Sequence, residues 1–178
     1  MTVTDSLIRR LLDEAAIRDV TARFADAAVH ADYDAFRAVW AQDAEWVIGG
    51  TKSQPFERRA SGLDEIVALY RTLREERDYF IQFAVQGPIR IDGDEATARS
   101  ICHEAARGGS DSYYRNNGVW FDRLRRAGEG WVFASRTYQY LWLDLSAYSG
   151  DVFPAVVREA GDDVATSRPE PPGAAAAR

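Results

Sequence analysis

The chain has 178 residues, room for one domain of ordinary size and little beyond it. Its 46% hydrophobic and 28% charged residues suit a folded globular chain and exclude disordered, collagen-like and coiled-coil classes. A formal net charge of -6, with no run of Lys and Arg, offers phosphate backbones no attraction, so no nucleic-acid partner is expected. No stretch approaches the roughly 18 consecutive apolar residues of a spanning helix. The opening Met1, Thr2, Val3, Thr4, Asp5 has no basic-then-apolar leader pattern, so the expectation is a cytoplasmic protein without a membrane partner.

Residue types remove several chemistries. Cys102 is the single cysteine, and His30 and His103 are the two histidines, so there is neither a disulfide framework nor a repeated zinc-ligand spacing; no metal is expected. Lys52 is the only lysine, which leaves little scope for Schiff-base chemistry. Lys52-Ser53 follows Gly49-Gly50, but Thr51 stands where a phosphate-cradling loop needs glycine. Neither Gly-x-Gly-x-x-Gly nor Gly-x-Ser-x-Gly occurs at a strand-to-helix junction, which removes dinucleotide and serine-hydrolase readings. No cofactor is expected.

In chain order, Ser6 to Ala31 lacks Gly and Pro and sets Ile17, Val20, Phe24 and Ala28 on one face at helical spacing. Asp32 then caps a second short helix carrying Phe36, Val39 and Trp40. Trp46, Val47 and Ile48, closed by Gly49-Gly50, predict a strand. A polar loop through Pro55 leads to Ser61-Gly62-Leu63-Asp64, a capping box, and a third helix with Ile66, Leu69, Tyr70 and Leu73 running to about Glu76. Four long strands follow, at about Tyr79 to Ile91, Glu95 to Arg107, Ser112 to Arg126 and Trp131 to Leu143. They are punctuated by Asp92-Gly93-Asp94, Gly108-Gly109-Ser110 and Ala127-Gly128-Glu129-Gly130, which suit hairpin turns; Gly87-Pro88 bends the first strand. Three helices cannot cover both faces of such a sheet. The predicted fold class is therefore α+β: a curved antiparallel sheet wrapped around three N-terminal helices as a cone with an internal cavity. Residues 1–150 form this domain. Residues 151–178 form a C-terminal extension, mostly flexible from Ser167 onward, with a short helix near Phe153 to Glu159.

The order of elements and several local phrases resemble the SnoaL-like branch of the nuclear transport factor two-like superfamily, which includes polyketide cyclases, scytalone dehydratase, ketosteroid isomerase and hexachlorocyclohexane dehydrochlorinase. The phrases are Ala15-Ala16-Ile17-Arg18-Asp19, Asp32-Tyr33-Asp34-Ala35-Phe36, Asp43-Ala44-Glu45-Trp46, Ile91-Asp92-Gly93-Asp94 and Gly130-Trp131-Val132-Phe133. The resemblance implies a hydrophobic cone with an acid/base pair near its mouth: an aspartate late in the first helix and a histidine on the strand after the third. Here the first position falls at Val29 and the second near Phe83 or Ala84, so an Asp-His dyad is not expected, and neither Val nor Phe can exchange a proton. Resemblance to scytalone dehydratase implies that His103 matches a second histidine and Asn116 a small polar position, while Ala28, Val29 and Ile48 stand where that enzyme has polar residues.

The expected catalytic pair is His103, because imidazole is the side-chain type able to serve as acid or base, and Asn116, whose amide holds a substrate oxygen or a water. Strand alternation puts Ala96, Ala98, Ser100, Cys102 and Glu104 on one face and Thr97, Arg99, Ile101 and His103 on the other; residue types leave open which is concave. Expected substrate-binding residues are Trp46 and Trp120 as aromatic walls, Gln82 and Phe83 near the missing histidine, and Arg136 and Tyr138 on a polar-aromatic row with Tyr140 and Trp142. Arg136 has an alternative use, pairing with Asp122 across neighbouring strands. Asp26 and His30 are adjacent on the first helix, where a structural ion pair is favoured.

The function expected is a cofactor-independent lyase, isomerase or cyclase using general acid/base catalysis on a small hydrophobic carbonyl or phenolic, polyketide-like substrate. The alternative is a non-catalytic small-molecule-binding or accessory protein. A third reading is a small subunit similar to the β subunits of ring-hydroxylating dioxygenases, suggested by Phe121-Asp122-Arg123-Leu124-Arg125-Arg126 before Gly130-Trp131. A homo-oligomer, dimer or trimer, is expected from the resemblance.

Overall fold

A computed structural model describes residues 3–49, 57–109 and 112–153. Three helices, α1 (Val3–His30), α2 (Tyr33–Ala38) and α3 (Leu63–Arg74), accompany six strands: β1 (Trp40–Gly49), β2 (Glu57–Ser61), β3 (Arg77–Asp92), β4 (Glu95–Gly108), β5 (Ser112–Ala127) and β6 (Gly130–Asp144). The loop through Pro55, the short helix placed after Phe153 and the C-terminal extension lie outside the described residues.

The sheet runs β2-β1-β6-β5-β4-β3. It is antiparallel throughout except where β1 lies parallel to β6, so the sheet is mixed rather than wholly antiparallel. The helices fill its concave face as the cone requires, with α1 packed on β3 and β6. Buried Ile17, Val20, Thr21, Phe24, Ala27 and Ala28 recur at helical spacing along α1, which is why one face of a long Gly-free helix docks there. Asp32 caps α2, its Oδ1 accepting the backbone N–H groups of Asp34 (3.1 Å) and Ala35 (2.9 Å).

Three local expectations need correction. Trp40, expected on the second helix with Phe36 and Val39, opens β1 instead, because α2 ends at Ala38 with Val39 as its C-cap. Strand β2 has no apolar signature because it is an edge strand with only Ala60 buried, so it reads as loop. Ser61 ends that strand rather than capping α3. Gly62 occupies the N-cap, and its φ of 87° turns the chain from strand to helix where other residues would be strained. What survives of the capping box is Glu65, whose carboxylate accepts the Ser61 N–H at 3.0 Å. At Gly87-Pro88 the β3–β4 register shifts between Gln86 and Ile89, and a Cβ on Gly87 would stand 3.0 Å from Arg99 O.

The core centres on Phe24, whose ring lies 5.2–6.3 Å from those of Phe36, Trp40, Trp46, Trp120 and Phe133, mostly edge-on. At the other end of α1, Asp13 receives two hydrogen bonds from Arg126 (2.7 and 2.9 Å) and one from Trp131 Nε1 (3.0 Å), which ties the helix to the β5–β6 hairpin. The Arg126 bonds hold the Asp13 carboxyl below its ordinary value.

Candidate active site

A cavity of about 280 Å³ opens between the helices and the concave face of the sheet. Buried Phe24, Phe36, Trp46, Trp120 and Tyr138 form its apolar walls. Arg58 and Leu145, both exposed, mark its mouth together with Arg77 and Ser112. This volume is nearly twice that of the ~150 Å³ apolar cavity known to hold benzene, so a substituted or fused ring system fits.

Two polar residues, Gln82 and Glu104, stand side by side in the wall as directly opposed partners on β3 and β4. Gln82 Nε2 donates a hydrogen bond to Glu104 Oε1. Asn116, opposite Glu104 on β5, donates from Nδ2 to Glu104 Oε2 at 3.1 Å, and the Asn116 carbonyl accepts the Tyr138 hydroxyl. Both carboxylate oxygens are thus held by neutral amides, and the second amide is fixed by a tyrosine. Burial raises the Glu104 pKa above the ordinary 4.5, opposed by the Asn116 and Gln82 hydrogen bonds and the Arg136 charge. Burial likewise pushes the Cys102 thiol up, and its Sγ stands 3.9 Å from Glu104 Oε1, so this cysteine is a weak donor to the carboxylate and not a thiolate. Gln82 Oε1, Trp46 Nε1 and Trp120 Nε1 are buried atoms of lining residues with no hydrogen-bond partner among the described residues.

Among the residues singled out from sequence, Trp46, Gln82, Trp120 and Tyr138 lie in the cavity wall, and Asn116 sits directly behind it. Three do not reach the cavity. His103 projects from the outer face of the sheet, where its Nδ1 lies 2.8 Å from Asn117 Oδ1; alternation along β4 turns Cys102 and Glu104 inward and His103 outward. Phe83 follows the same phase on β3, is 56% exposed, and packs its ring 5.0 Å from that of His103. Arg136 is fully buried beneath the walls, opposite Asp122 in the β5–β6 register, with Nε 3.0 Å from Asp122 Oδ1. Its guanidinium carbon lies 4.1, 4.4 and 4.3 Å from the ring centroids of Phe24, Trp120 and Phe133, so it supports the cavity wall from behind.

Gln86 is committed elsewhere, accepting from Thr21 Oγ1 (2.8 Å) and donating to Arg99 O (2.8 Å). Trp142 leaves the inner row because the β5–β6 register shifts between Asn117 and Gly118. Asp26 and His30 pair on the helix surface outside the cavity (3.3 Å). The residue missed was Glu104. Its signal is an acidic side chain in phase with the small residues Ala96, Ala98, Ser100 and Cys102, all buried, on a strand whose other face also carries an aliphatic residue, Ile101.

Gly118 completes the site. A Cβ there would overlap the Tyr138 phenol and stand 2.6 Å from Gln139 O, so the tyrosine crosses the strand only because glycine leaves the space. Gly118→Ala is expected to cost about 1–3 kcal/mol through overpacking, and to release Asn116 from Tyr138. Urea denaturation checks the first effect. A lost Tyr138 hydroxyl resonance in NMR spectra checks the second.

The fold is a helix-filled, half-open β cone with a carboxyl group in its cavity, and comparisons with known proteins give its family. Residues 9–137 match the SnoaL-like domain, and the chain belongs to that family. No curated protein matches this sequence. Among solved structures, LinA superposes with a TM-score of 0.72 at 18% identity, covering 84% of this chain and 99% of its own. A protein assigned as a scytalone dehydratase from Novosphingobium aromaticivorans DSM 12444 gives 0.69 at 14% identity, covering 80% and 93%. An NTF2-like protein with a cystatin-like fold, also from Novosphingobium aromaticivorans, gives 0.64 at 25% identity, covering 79% and 90%.

Proposed function

We propose that this protein is a cofactor-independent enzyme of lyase, isomerase or cyclase type, in which Glu104 exchanges a proton with a small hydrophobic, polyketide-like substrate bearing a carbonyl or phenolic oxygen. The supporting observation is a carboxyl group inside an apolar cavity, with both oxygens held by neutral amides and its pKa raised toward the range useful to a general base. The carboxylate takes a proton from carbon, and the C–H electron pair moves through the adjacent carbonyl to its oxygen. Two indole N–H groups of the lining, on Trp46 and Trp120, have no partner among the described residues, and a small ring reorientation would turn one of them toward the developing oxyanion. Return of the proton at another carbon gives isomerisation. Departure of a group β to the carbonyl, with its bonding pair, gives elimination. Attack of the enolate carbon on a second carbonyl, with the proton passed to its oxygen, gives ring closure.

The test is incubation of the purified protein with aromatic and polyketide-like carbonyl compounds, following bound and product masses by native mass spectrometry. Product formed without added metal or cofactor supports the proposal. Adducts retained without any turnover favour a binding protein instead, a reading that draws on Val29 and on Phe83 or Ala84, near which the related dyad would stand. We further propose a cytoplasmic homo-oligomer, dimer or trimer, in keeping with the exposed apolar row of Phe83, Val85, Ile101 and Phe121 on the outer face of the sheet.

A further inference from the structure

The cavity has a polar axis that the proton-transfer reading does not use. Glu104 lies in its wall among amides, whereas two guanidinium groups stand in the lining nearer the mouth, Arg77 on β3 and Arg58 on β2. Arg77 donates from Nη1 to Ser112 Oγ (2.8 Å) and Ser112 O (3.2 Å), and its guanidinium lies 5.2 Å from the Tyr114 ring centroid. Its Nε is buried and has no partner among the described residues. Arg58 donates to Glu57 O at 3.1 Å. Among the described residues neither arginine has a carboxylate within ion-pairing distance, although most other arginines of the chain pair with Asp or Glu.

Arg74, the third arginine of the lining, is different. Its donors are spent on the carbonyls of Ala28, Val29 and Arg77 at 2.9–3.2 Å, so it fastens the C-terminal end of α1. Two tyrosines separate the opposite charges: Tyr114 feels both the Glu104 carboxylate and the Arg77 guanidinium, and Tyr140 feels both Glu104 and Arg58. A ligand spanning the cavity therefore meets a cation at one end, aromatic walls along its length and a carboxyl group at the other.

From this arrangement we propose that the substrate is a hydrophobic carboxylic acid, its carboxylate bound by Arg77 and Arg58 at the mouth and its reacting carbon directed at Glu104. A partly desolvated guanidinium in the cavity lining, with no counter-carboxylate among the described residues, is suited to an oxyanion, and a planar carboxylate matches its fork. A neutral substrate would leave the Arg77 charge in the cavity wall without a counter-ion. A substrate cation would meet like charge at the mouth. The proposal rests on the proton-transfer reading of Glu104 for the orientation of the ligand, and on the arginines alone for its charge.

The test compares 2-naphthoate with the isosteric neutral 2-naphthamide by calorimetric titration of the full-length protein. Wild type should bind the acid at least ten-fold more tightly than the amide. Arg77→Met should abolish that preference while leaving the amide affinity unchanged. Should Arg77→Met fail to fold, Arg58→Gln, on the exposed edge strand, should still reduce the preference several-fold. Glu104→Gln should retain or strengthen naphthoate binding, since it removes a repelling carboxylate. Equal affinities in wild type, or a preference surviving both arginine substitutions, overturns the acid assignment even if Glu104 proves catalytic. Conversely, a clear acid preference together with full turnover in Glu104→Gln retains the carboxylate site and removes the proton-transfer reading. Saturable binding of neither probe overturns both.

Discussion

Glu104→Gln is expected to lower turnover by about a hundred- to ten-thousand-fold while the protein stays folded. The amide has nearly the volume of the carboxyl group, so the cavity wall is conserved, but it cannot take a proton from carbon. It keeps an acceptor for one of the two amides that hold Glu104 and loses the other. That mismatch is offset by removing a charge whose burial is unfavourable. Because burial raises the Glu104 carboxyl above 4.5, the folded state holds the proton more tightly than the unfolded chain does. The Glu104 contribution to stability is therefore full below 4.5 and is lost as the pH rises through the folded value; in Glu104→Gln that decline disappears. Thermal denaturation beside turnover separates the two effects. His103→Ala provides the contrast: its ring lies on the outer face beside Phe83 and Asn117, so turnover should be unchanged.

The second large effect is on stability. Asp122→Ala is expected to cost about 3–5 kcal/mol, because it strands the Arg136 guanidinium without a counter-charge where both side chains are wholly excluded from solvent. Burial pushes the Asp122 carboxyl up to about 6, and the Arg136 charge keeps it from going higher, so the pair is ionised at neutral pH. Replacing both members, as Asp122→Leu with Arg136→Met, should cost markedly less than the single change, since apolar groups then fill the site and no charge is left unpaired. Chemical denaturation of the two variants provides the measurement. A double variant no more stable than Asp122→Ala would mean that the three aromatic rings around Arg136, rather than its ion pair, hold this region together.

What the sequence disclosed follows from where local rules suffice. Helical periodicity marked Ile17, Val20, Phe24 and Ala28 as the buried face of α1, and glycine turns bounded β3 to β6 to within about two residues. Strand β2 escaped because an edge strand with one buried side chain has no alternating pattern. The side chains around Glu104 were partly named, as Gln82, Asn116 and Tyr138, but Glu104 was not. Period-two alternation separates His103 from Glu104 onto opposite faces without saying which is concave; that is decided by which face the helices cover, a tertiary fact. With the phase open, the imidazole, a side chain that serves as acid or base in many settings, outranked an ordinary carboxylate, whose raised pKa exists only once the cavity has formed around it. Arg136 shows the same limit in reverse. Its residue type suits a ligand anion, and only the register with Asp122 commits it to the core.

The proton-transfer role of Glu104 is tested most directly by titrating its side chain. Carbon-13 NMR of protein labelled at the glutamate δ-carbon, with the Glu104 resonance assigned by its absence in Glu104→Gln, reads this carboxyl alone. A midpoint above 4.5 that moves on binding a hydrophobic carbonyl compound is the predicted result. A midpoint at or below 4.5, unmoved by ligand, would mean that the carboxylate is a stable ion locked to Gln82 and Asn116, and would contradict its assignment as the proton-transfer group.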